Sequence, residues 1–428
     1  MKKRLIVVGG GAAGFFCAIN AAMLTPDLEV LILERSAKIL SKVRVSGGGR
    51  CNVTHGCFSI AEMIKNYPRG SKFVKKGFYH FFTRETIKWF LDRRIELHTE
   101  KDGRMFPISN SSETIINCFV EEAKRRGVQI MQNRRVVDIT FSLNPGTSTS
   151  SRSTRQQVEK VMVSLSNGEL LHADFICIAC GGFQTMSQFE WLRSLNHTIV
   201  PPVPSLFTFN LPKDPIHSLM GVSVNNANVK IAGTKFSQDG PLLITHWGLS
   251  GPAILKLSSF AAVELARVNY HFKIIVNWFP GSNENLLRIQ LGRIRDQLAT
   301  QKIINRNPFH LPQSLWGFLL LQAGIHDDMK WGELPAKLQN VLAKYISSHE
   351  MEVKGKTTFK EEFVTAGGID TDEIDPETMQ SKRYAKVYFA GEVMNVDGVT
   401  GGFNFQHAWT SGYLAARAIS QEILASYY

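Results

Sequence analysis

Residues 4–8 form an apolar, β-branched run, glycines interrupt it at 9–14, and residues 15–24 then take up an apolar pattern suited to a helix. Pro26-Asp27 stops that helix before a second buried-strand pattern at 29–33. The opening therefore predicts one strand–helix–strand unit. Helices are predicted at 83–92 and 111–126, the second stopped by Gly127 before a strand resumes at 128–130. Residues 134–143 and 158–165 read as the arms of a hairpin. The polar stretch 144–157 between them has too little apolar surface to offset ordering, which predicts a mobile loop. A further apolar strand at 175–180 runs into Gly181-Gly182.

The pattern changes after Pro201-Pro202-Val203-Pro204. Residues 205–278 mix alternating runs, at 222–224, 229–231 and 272–276, with many turns, as a mostly β region would. From 281 to 348 the period is helical, at 286–298, 315–321 and 334–346, with interruptions at Pro308, Pro312 and Pro335. A strand-like run at 359–365 closes that region, 386–390 reads as a strand of the first domain returning, and 405–424 as its last helix. The predicted class is α/β. Its first domain joins residues 1–195 to 385–428, a β-barrel-like middle domain takes 196–280 and 349–384, and a helical domain of 281–348 is inserted in the middle one.

With 428 residues, 44% of them hydrophobic, the chain can bury more than one core, which excludes a single small module. No segment reaches the roughly 18 apolar residues that span a bilayer, and the first apolar run is too short for a signal peptide. The expectation is a soluble protein with no membrane partner. Six scattered cysteines lack the density of a disulfide framework, which points to a reducing cytoplasm. The formal charge of +12 admits a dinucleotide, an acidic substrate, nucleic acid or a lipid headgroup without choosing among them. The short clusters Arg125-Arg126, Arg134-Arg135 and Lys72-Phe73-Val74-Lys75-Lys76 read more simply as solvated surface or phosphate compensation than as a nucleic-acid site.

Candidate chemistry begins at Gly9-Gly10-Gly11-Ala12-Ala13-Gly14, a GxGxxG string between a strand and a helix. There the first glycine permits the turn, the second lets backbone approach a pyrophosphate, and the third lets helix and strand pack closely. Phosphates rest on the free N–H groups at the helix start. Glu34, twenty residues after Gly14, ends the second strand, where its carboxylate can accept from an adenosine ribose diol and would repel a 2′-phosphate. These residues alone suit NAD as well as FAD. Lys42 to Asn52 adds Gly47-Gly48-Gly49 beside Arg50 and Asn52, a backbone free to curl around a flat ring or a phosphate. Ala390-Gly391-Glu392 and Gly401-Gly402-Phe403-Asn404 follow a strand and precede the last helix, whose N-terminus would favour negative charge on a reduced isoalloxazine.

Taken together, these blocks resemble a known family. Gly9 to Gly14, Ser46-Gly47-Gly48-Gly49-Arg50-Cys51-Asn52-Val53-Thr54, Thr245-His246-Trp247-Gly248-Leu249-Ser250-Gly251-Pro252, Thr365-Ala366-Gly367-Gly368, Phe389-Ala390-Gly391-Glu392, Asp397-Gly398 and Thr400-Gly401-Gly402-Phe403-Asn404-Phe405-Gln406 are similar to the bacterial NAD(P)/FAD-dependent, aminoacetone-oxidase-like oxidoreductases. That family includes enzymes assigned to reduction of steroid-like enones. It is distantly related to the fumarate reductase flavoprotein and glutathione reductase class. The resemblance implies a Rossmann-like FAD domain of glutathione reductase type built from both termini, a β-rich middle domain and a small helical domain. It implies FAD contacts at Gly9, Gly11, Gly14, Glu34, Arg35, Lys42, Gly48, Arg50, Cys51, Val136 or Val137, Gly391, Glu392 and the turn Gly402 to Gln406, which includes Phe403, Asn404 and Phe405. Ala12, Ala13, Gly49, Asn52 and Gly181 complete the expected cofactor set as members of the same glycine segments. One departure is Cys180-Gly181-Gly182, where this class usually has Thr-Gly-Gly.

Catalytic candidates are His246, which could supply a proton near neutral pH, Cys51, whose thiolate Arg50 would favour, and Arg50 itself. Each also has a plain structural reading, a packed histidine or a neutral thiol against the cofactor. Cys177 and Cys180, three apart on a strand, face opposite ways and read as core rather than a redox pair. No closely spaced ligand series predicts a metal. The expected activity is two-electron transfer through flavin N5 of non-covalent FAD to a small molecule, reducing an activated C=C bond, with NADH or NADPH as a transient donor. Two alternatives are an oxidase of a small amine or ketone and a flavin-bearing RNA-binding or RNA-modifying protein.

Overall fold

The computed structural model describes residues 2–143, 155–357 and 364–426. Residues 144–154 of the predicted loop, and 358–363 around the predicted strand at 359–365, lie outside the described residues. The chain divides into two compact units, Met1–Ser205 with Lys360–Tyr428, and Leu206–Phe359.

The first unit is organised on a five-stranded parallel sheet in the order Val387–Phe389, Phe175–Ile178, Arg4–Val8, Glu29–Leu33, Gln129–Met131. Arg4–Val8 and Phe175–Ile178 are buried nearly throughout, the pattern of a parallel sheet covered on both faces. The last helix, Phe403–Ala425, lies along the first, Ala12–Leu24, so closely that a Cβ on Gly412 would stand 2.7 Å from the Ala13 carbonyl. Aromatic rings fill the layer around them: Phe16 is 4.7 Å from Trp89 and 5.3 Å from Trp409. Pairs of this kind contribute about 0.5–1.5 kcal/mol each beyond their buried area. The predicted hairpin is present as Val136–Leu143 and Val158–Leu165, extended by Leu170–Ala173. No helix among the described residues is long and apolar enough to cross a membrane.

The second unit holds a seven-stranded antiparallel sheet, ordered His349–Lys354, His271–Asn277, Ser223–Ile231, Ser237–Thr245, Gly248–Ser250, Thr208–Asn210, Lys356–Thr357. Three predicted helices appear as Glu284–Gln297, Gln313–Gln322 and Ala336–Ser347. They do not form the separate domain expected from 281–348. Leu287, Leu291, Trp316, Trp331 and Ile346 share one core with Val229, Ile274 and Val276 of the sheet, since three short helices bury their apolar faces only against something larger. The expected boundaries near 195 and 385 move as well, because Ile199–Ser205 pairs with Val364–Ile369 inside the first unit. A helix at Pro252–Phe260 falls in the stretch expected to be mostly β. Pro252 sits at its first turn after Gly251, whose φ of +92° few side chains could adopt.

Candidate functional site

The carboxyl ends of the central strands meet the start of the first helix at the glycine turn. Gly9 has φ +117°, and a Cβ there would lie 2.4 Å from the Ala179 carbonyl oxygen. A Cβ on Gly14 would lie 2.0 Å from the Gly9 oxygen. Those two glycines are demanded by the fold itself. Gly11 is different: a Cβ there meets nothing within 4 Å, and its φ of −95° suits any residue. The same open space surrounds Gly48, Gly49 and Gly181, all at positive φ. Ser41–Gly49 is therefore a short helix ending in left-handed glycines, the curled backbone expected from its sequence.

Among the helix starts without a side-chain cap, two adjoin these glycine segments. Helix Thr83–Leu91 has the Glu85 carboxylate on the Phe82 N–H, and Ser112–Arg125 has the Ser111 hydroxyl on the Glu113 N–H. By contrast Ala12–Leu24, capped only by Gly11, and Phe403–Ala425, capped only by Gly402, have neither a side-chain cap nor an acid in the first turn. Their first N–H groups, Ala12 and Ala13 in one and Phe403, Asn404 and Phe405 in the other, want acceptors from elsewhere. Helix dipoles make both starts favourable to negative charge.

Glu34 carries its carboxylate back over the turn. It accepts from the Gly10 N–H at 2.9 Å, and from the Ser36 N–H and hydroxyl, each at 2.9 Å. A carboxylate has about four acceptor positions, so roughly one is left for a ribose hydroxyl. Beside it lies a cavity of about 310 Å³ lined by Gly9, Glu34, Arg35, Arg134, Arg135, Val136, Cys180, Phe183, Gln188 and Trp191. Arg35 stands 5.8 Å from the Phe183 ring. Val136 lines this cavity while Val137 is 41% exposed, which favours Val136 of the two valines expected. Phe183, Gln188 and Trp191 escaped sequence reasoning; only Gly181-Gly182 at the end of a strand marked the segment.

The C-terminal turn is tied to the N-terminal glycine segment by contacts that span most of the chain. Lys42 pairs with Glu392 at 2.5 Å, and Glu392 also accepts from the Thr365 N–H at 2.8 Å. Asn52, with its amide oriented to satisfy both neighbours, accepts from the Gly402 N–H at 2.9 Å and donates to the Thr54 carbonyl at 3.0 Å. Gln406 accepts from the Thr54 and Thr86 hydroxyls, and Asn404 bonds both the N–H and the carbonyl of Gly398. The side chains of Asn404 and Gln406 are thus committed to the protein, and any cofactor contact there falls to backbone. Gly391 donates to Ser411, and Phe403 stacks on His55 at 4.8 Å while its carbonyl accepts from Tyr67. Arg69 and Ser205 both hold Asp397, whose burial pushes its carboxyl up against the pull of Arg69.

Two catalytic candidates change character. Cys51 is fully buried at φ +60°, and burial pushes its thiol up to about 12, so it is a neutral packed group and not a thiolate near neutral pH. Arg50 does not activate it; its guanidinium pairs with Glu100 at 2.6 Å and lies 4.0 Å over Phe106. His246 belongs to the second unit, exposed in the turn between Ser237–Thr245 and Gly248–Ser250, with Trp247 at 4.2 Å edge-on. Cys177 lies against Cys17 in the core, and Cys180 at the cavity. Among the described residues no group of three His, Cys, Asp or Glu could hold a metal ion.

Empty space over Gly11, Gly48, Gly49 and Gly181, two uncapped helix starts and an acid beside the cavity fit a dinucleotide with a pyrophosphate and a second flat ring. Residues 3–418 match the HI0933-like protein Rossmann domain. The chain belongs to the HI0933-like family. Over 428 residues, 98% of this HI0933-like chain and 99% of the relative, it is 27% identical to the 3-dehydro-bile acid delta(4,6)-reductase of Clostridium scindens. It is also 27% identical to the ribosomal RNA dihydrouridine synthase of Escherichia coli K12 over 431 residues, 98% of each chain. The ribosomal RNA dihydrouridine synthase of Haemophilus influenzae stands at 27% over 432 residues, 97% of this chain and 98% of that one. This HI0933-like protein is an enzyme, an FAD-dependent oxidoreductase, with its substrate left open by the likeness.

Proposed function

We propose that the protein reduces a carbon–carbon double bond conjugated to a carbonyl, with FAD held non-covalently in the first unit. The observation that carries the reading is chemical. A 3-dehydro bile acid with delta(4,6) bonds and a uridine are unlike molecules, yet both present a C=C bond in conjugation with C=O, and full-length relatives act on each. Such a reduction adds a hydride at the carbon β to the carbonyl and a proton at the α carbon. FAD, when bound, supplies the two-electron chemistry at its N5.

The chain's own residues divide the remaining work. Glu34 would hold the ribose diol, Ala12 and Ala13 N–H groups the pyrophosphate, and Arg35, Val136, Phe183 and Trp191 the adenine. The loop Gly48 to Asn52 and the uncapped start of the last helix would line the isoalloxazine side, with Lys42–Glu392 and Asn52–Gly402 fixing the two halves together. His246 remains the proton-donor candidate, and NADH or NADPH the candidate electron source. Of the two acceptor types we take a uracil base within RNA, on which two of the three relatives named above act; the formal charge of +12 is compatible with it and does not by itself choose it.

The test is an anaerobic titration of the purified holoprotein. NADPH or NADH should bleach the flavin, and a uridine-containing RNA or a steroid 4-en-3-one should restore its absorbance in stoichiometric amount. Recovery with oxygen but with neither acceptor would refute the reading and point to the oxidase.

A further inference from the structure

The helix Ser71–Phe78 turns two different faces outward and inward. Phe73, Val74, Gly77 and Phe78 are buried, and a Cβ on Gly77 would come within 3.1 Å of Leu414 and 3.2 Å of Thr410 on the last helix. The outer face, continued through the next two residues, presents Lys72, Lys75, Lys76, Tyr79 and His80, spaced i, i+3, i+4, i+7 and i+8 and all exposed. Tyr79 is 67% exposed and Phe58 52%, the latter with the Arg84 guanidinium 5.6 Å from its ring.

No ion pair among the described residues joins the stripe to the nearby acids, among them the exposed Glu377, whose neighbour Pro376 has its carbonyl 3.6 Å from where a Cβ on Gly77 would stand. Glu62 is paired with Lys65 and Asp92 with Lys88, while Glu85 caps the Phe82 N–H. Among the described residues, Lys72, Lys75, Lys76 and Arg84 have no carboxylate partner. Exposed large aromatics among unpaired cations are what a single-stranded nucleic acid requires, since lysines track its phosphates while flat rings receive its bases. Exposed apolar side chains are common on this chain, Leu321 and Met220 among them, so what marks this segment is that the two rings lie among these four unpaired cations, not their exposure alone.

The stripe is also continuous with the candidate site. Gly70, the residue before the helix, would meet Val396 at 2.6 Å if it bore a Cβ, and Arg69 holds Asp397. Tyr67 bonds the carbonyl of Phe403, the first residue of the helix start assigned to the isoalloxazine. Segment 67–70 thus runs directly from the cationic helix to that turn.

We infer that the face made by Lys72, Lys75, Lys76, Tyr79, Arg84 and Phe58 docks single-stranded RNA, its phosphates on the lysines and its bases on the two rings. This rests on reading the acceptor as a uracil base.

The probe is a fluorescein-labelled, uridine-rich single-stranded RNA of about twelve nucleotides, read by anisotropy against FAD-loaded protein over a range of salt. The triple variant Lys72→Gln, Lys75→Gln, Lys76→Gln should bind at least tenfold more weakly near 0.1 M salt. The slope of log K against log salt should flatten by about two, since each phosphate contact on a single strand contributes about 0.7. Tyr79→Ala should weaken binding about tenfold with little change of slope. Flavin absorbance and melting temperature should match wild type in both, as all four side chains lie outside the core. Wild-type affinity in the triple variant, or no RNA binding by wild type, overturns the assignment. So does binding that heparin competes equally well and that Tyr79→Ala leaves intact, which is the behaviour of a plain polyanion face. RNA binding lost in the variants, from a protein that reduces no conjugated C=C bond, supports the docking face and defeats only the chemical reading.

Discussion

Adding one methyl group at Gly11 separates what the fold needs from what the cofactor needs. In the protein alone the new Cβ has no neighbour within 4 Å and φ is −95°, so Gly11→Ala meets no steric objection. Two small terms oppose each other there: loss of unfolded-chain freedom stabilises by about 0.4–1 kcal/mol, and alanine is a poorer N-cap than glycine by a similar amount. The apo protein should therefore keep its stability to within about 1 kcal/mol. Bound FAD changes the result, because its pyrophosphate would occupy the space the methyl enters. Overpacking by one methyl costs about 1–3 kcal/mol, or about five- to 150-fold in Kd. Gly14→Ala is the contrasting control. Its Cβ would stand 2.0 Å from the Gly9 oxygen, so the fold itself must yield and the apo protein should melt lower. Melting of both apo variants and FAD titration by fluorescence quenching give the two numbers. Wild-type FAD affinity in Gly11→Ala would remove the pyrophosphate from this helix start and, with it, the main support for the cofactor assignment.

Glu34→Gln should weaken FAD by about 1.5–3 kcal/mol, since one amide N–H must face either the Gly10 or the Ser36 donor and the charge-assisted bond to ribose is lost; unchanged affinity by calorimetry would place the ribose elsewhere. Gly402→Val should loosen FAD and lower the flavin midpoint potential by about 20–40 mV. The reason is that a Cβ at φ +91° would stand 2.5 Å from the Thr54 backbone and turn the helix-start N–H groups away; spectroelectrochemistry at saturating FAD is the measurement, and an unshifted potential contradicts the turn's role. In the second unit, burial pushes His349 down to about 4 from its usual 6.5, and its Nδ1 accepts from the Trp278 indole N–H at 3.2 Å. The unfolded chain therefore takes up the proton first, so this contribution is complete above about pH 6.5 and falls by up to about 3 kcal/mol as pH drops towards 4. Urea unfolding followed by tryptophan fluorescence at pH 7.5 and 4.5 should register the loss, and His349→Asn should flatten it.

The sequence was most legible where local pattern and chemistry coincide. Strand, glycines, helix and Glu34 fall within residues 4–34, and the boundaries there were nearly those of the structure. It was least legible where partners are distant. Nothing local says that Lys42 meets Glu392 or that Asn52 holds Gly402. The same distance hides that the side chains of Asn404 and Gln406, in a turn expected at the cofactor, bond Gly398 and Thr54, which leaves the turn's backbone for any such contact. Cys51 shows a related limit: Arg50 beside it suggests a thiolate, but burial outweighs an arginine whose charge is spent on Glu100. Pro252–Phe260 was missed because nine residues of apolar character fit a buried strand as well as a helix.

The insertion of the second unit between two neighbouring strands bears on the order in which the molecule assembles. Phe175–Ile178 and Val387–Phe389 lie side by side, roughly two hundred residues apart in the chain, a slow contact to form by diffusion of an open coil. The intervening unit, however, brings its own ends together, Thr208 opposite Thr357. If it folds first, the loop that remains to be closed shrinks to about sixty residues and closure becomes easier by about 1 kcal/mol. Translation then sets a clock: on the proposed placement of FAD, the adenosine half of the pocket is complete once Trp191, nearly half way along the chain, has left the ribosome, while the ring half waits for the last forty residues. A nascent chain would grip its nucleotide by one end long before it could enclose the other.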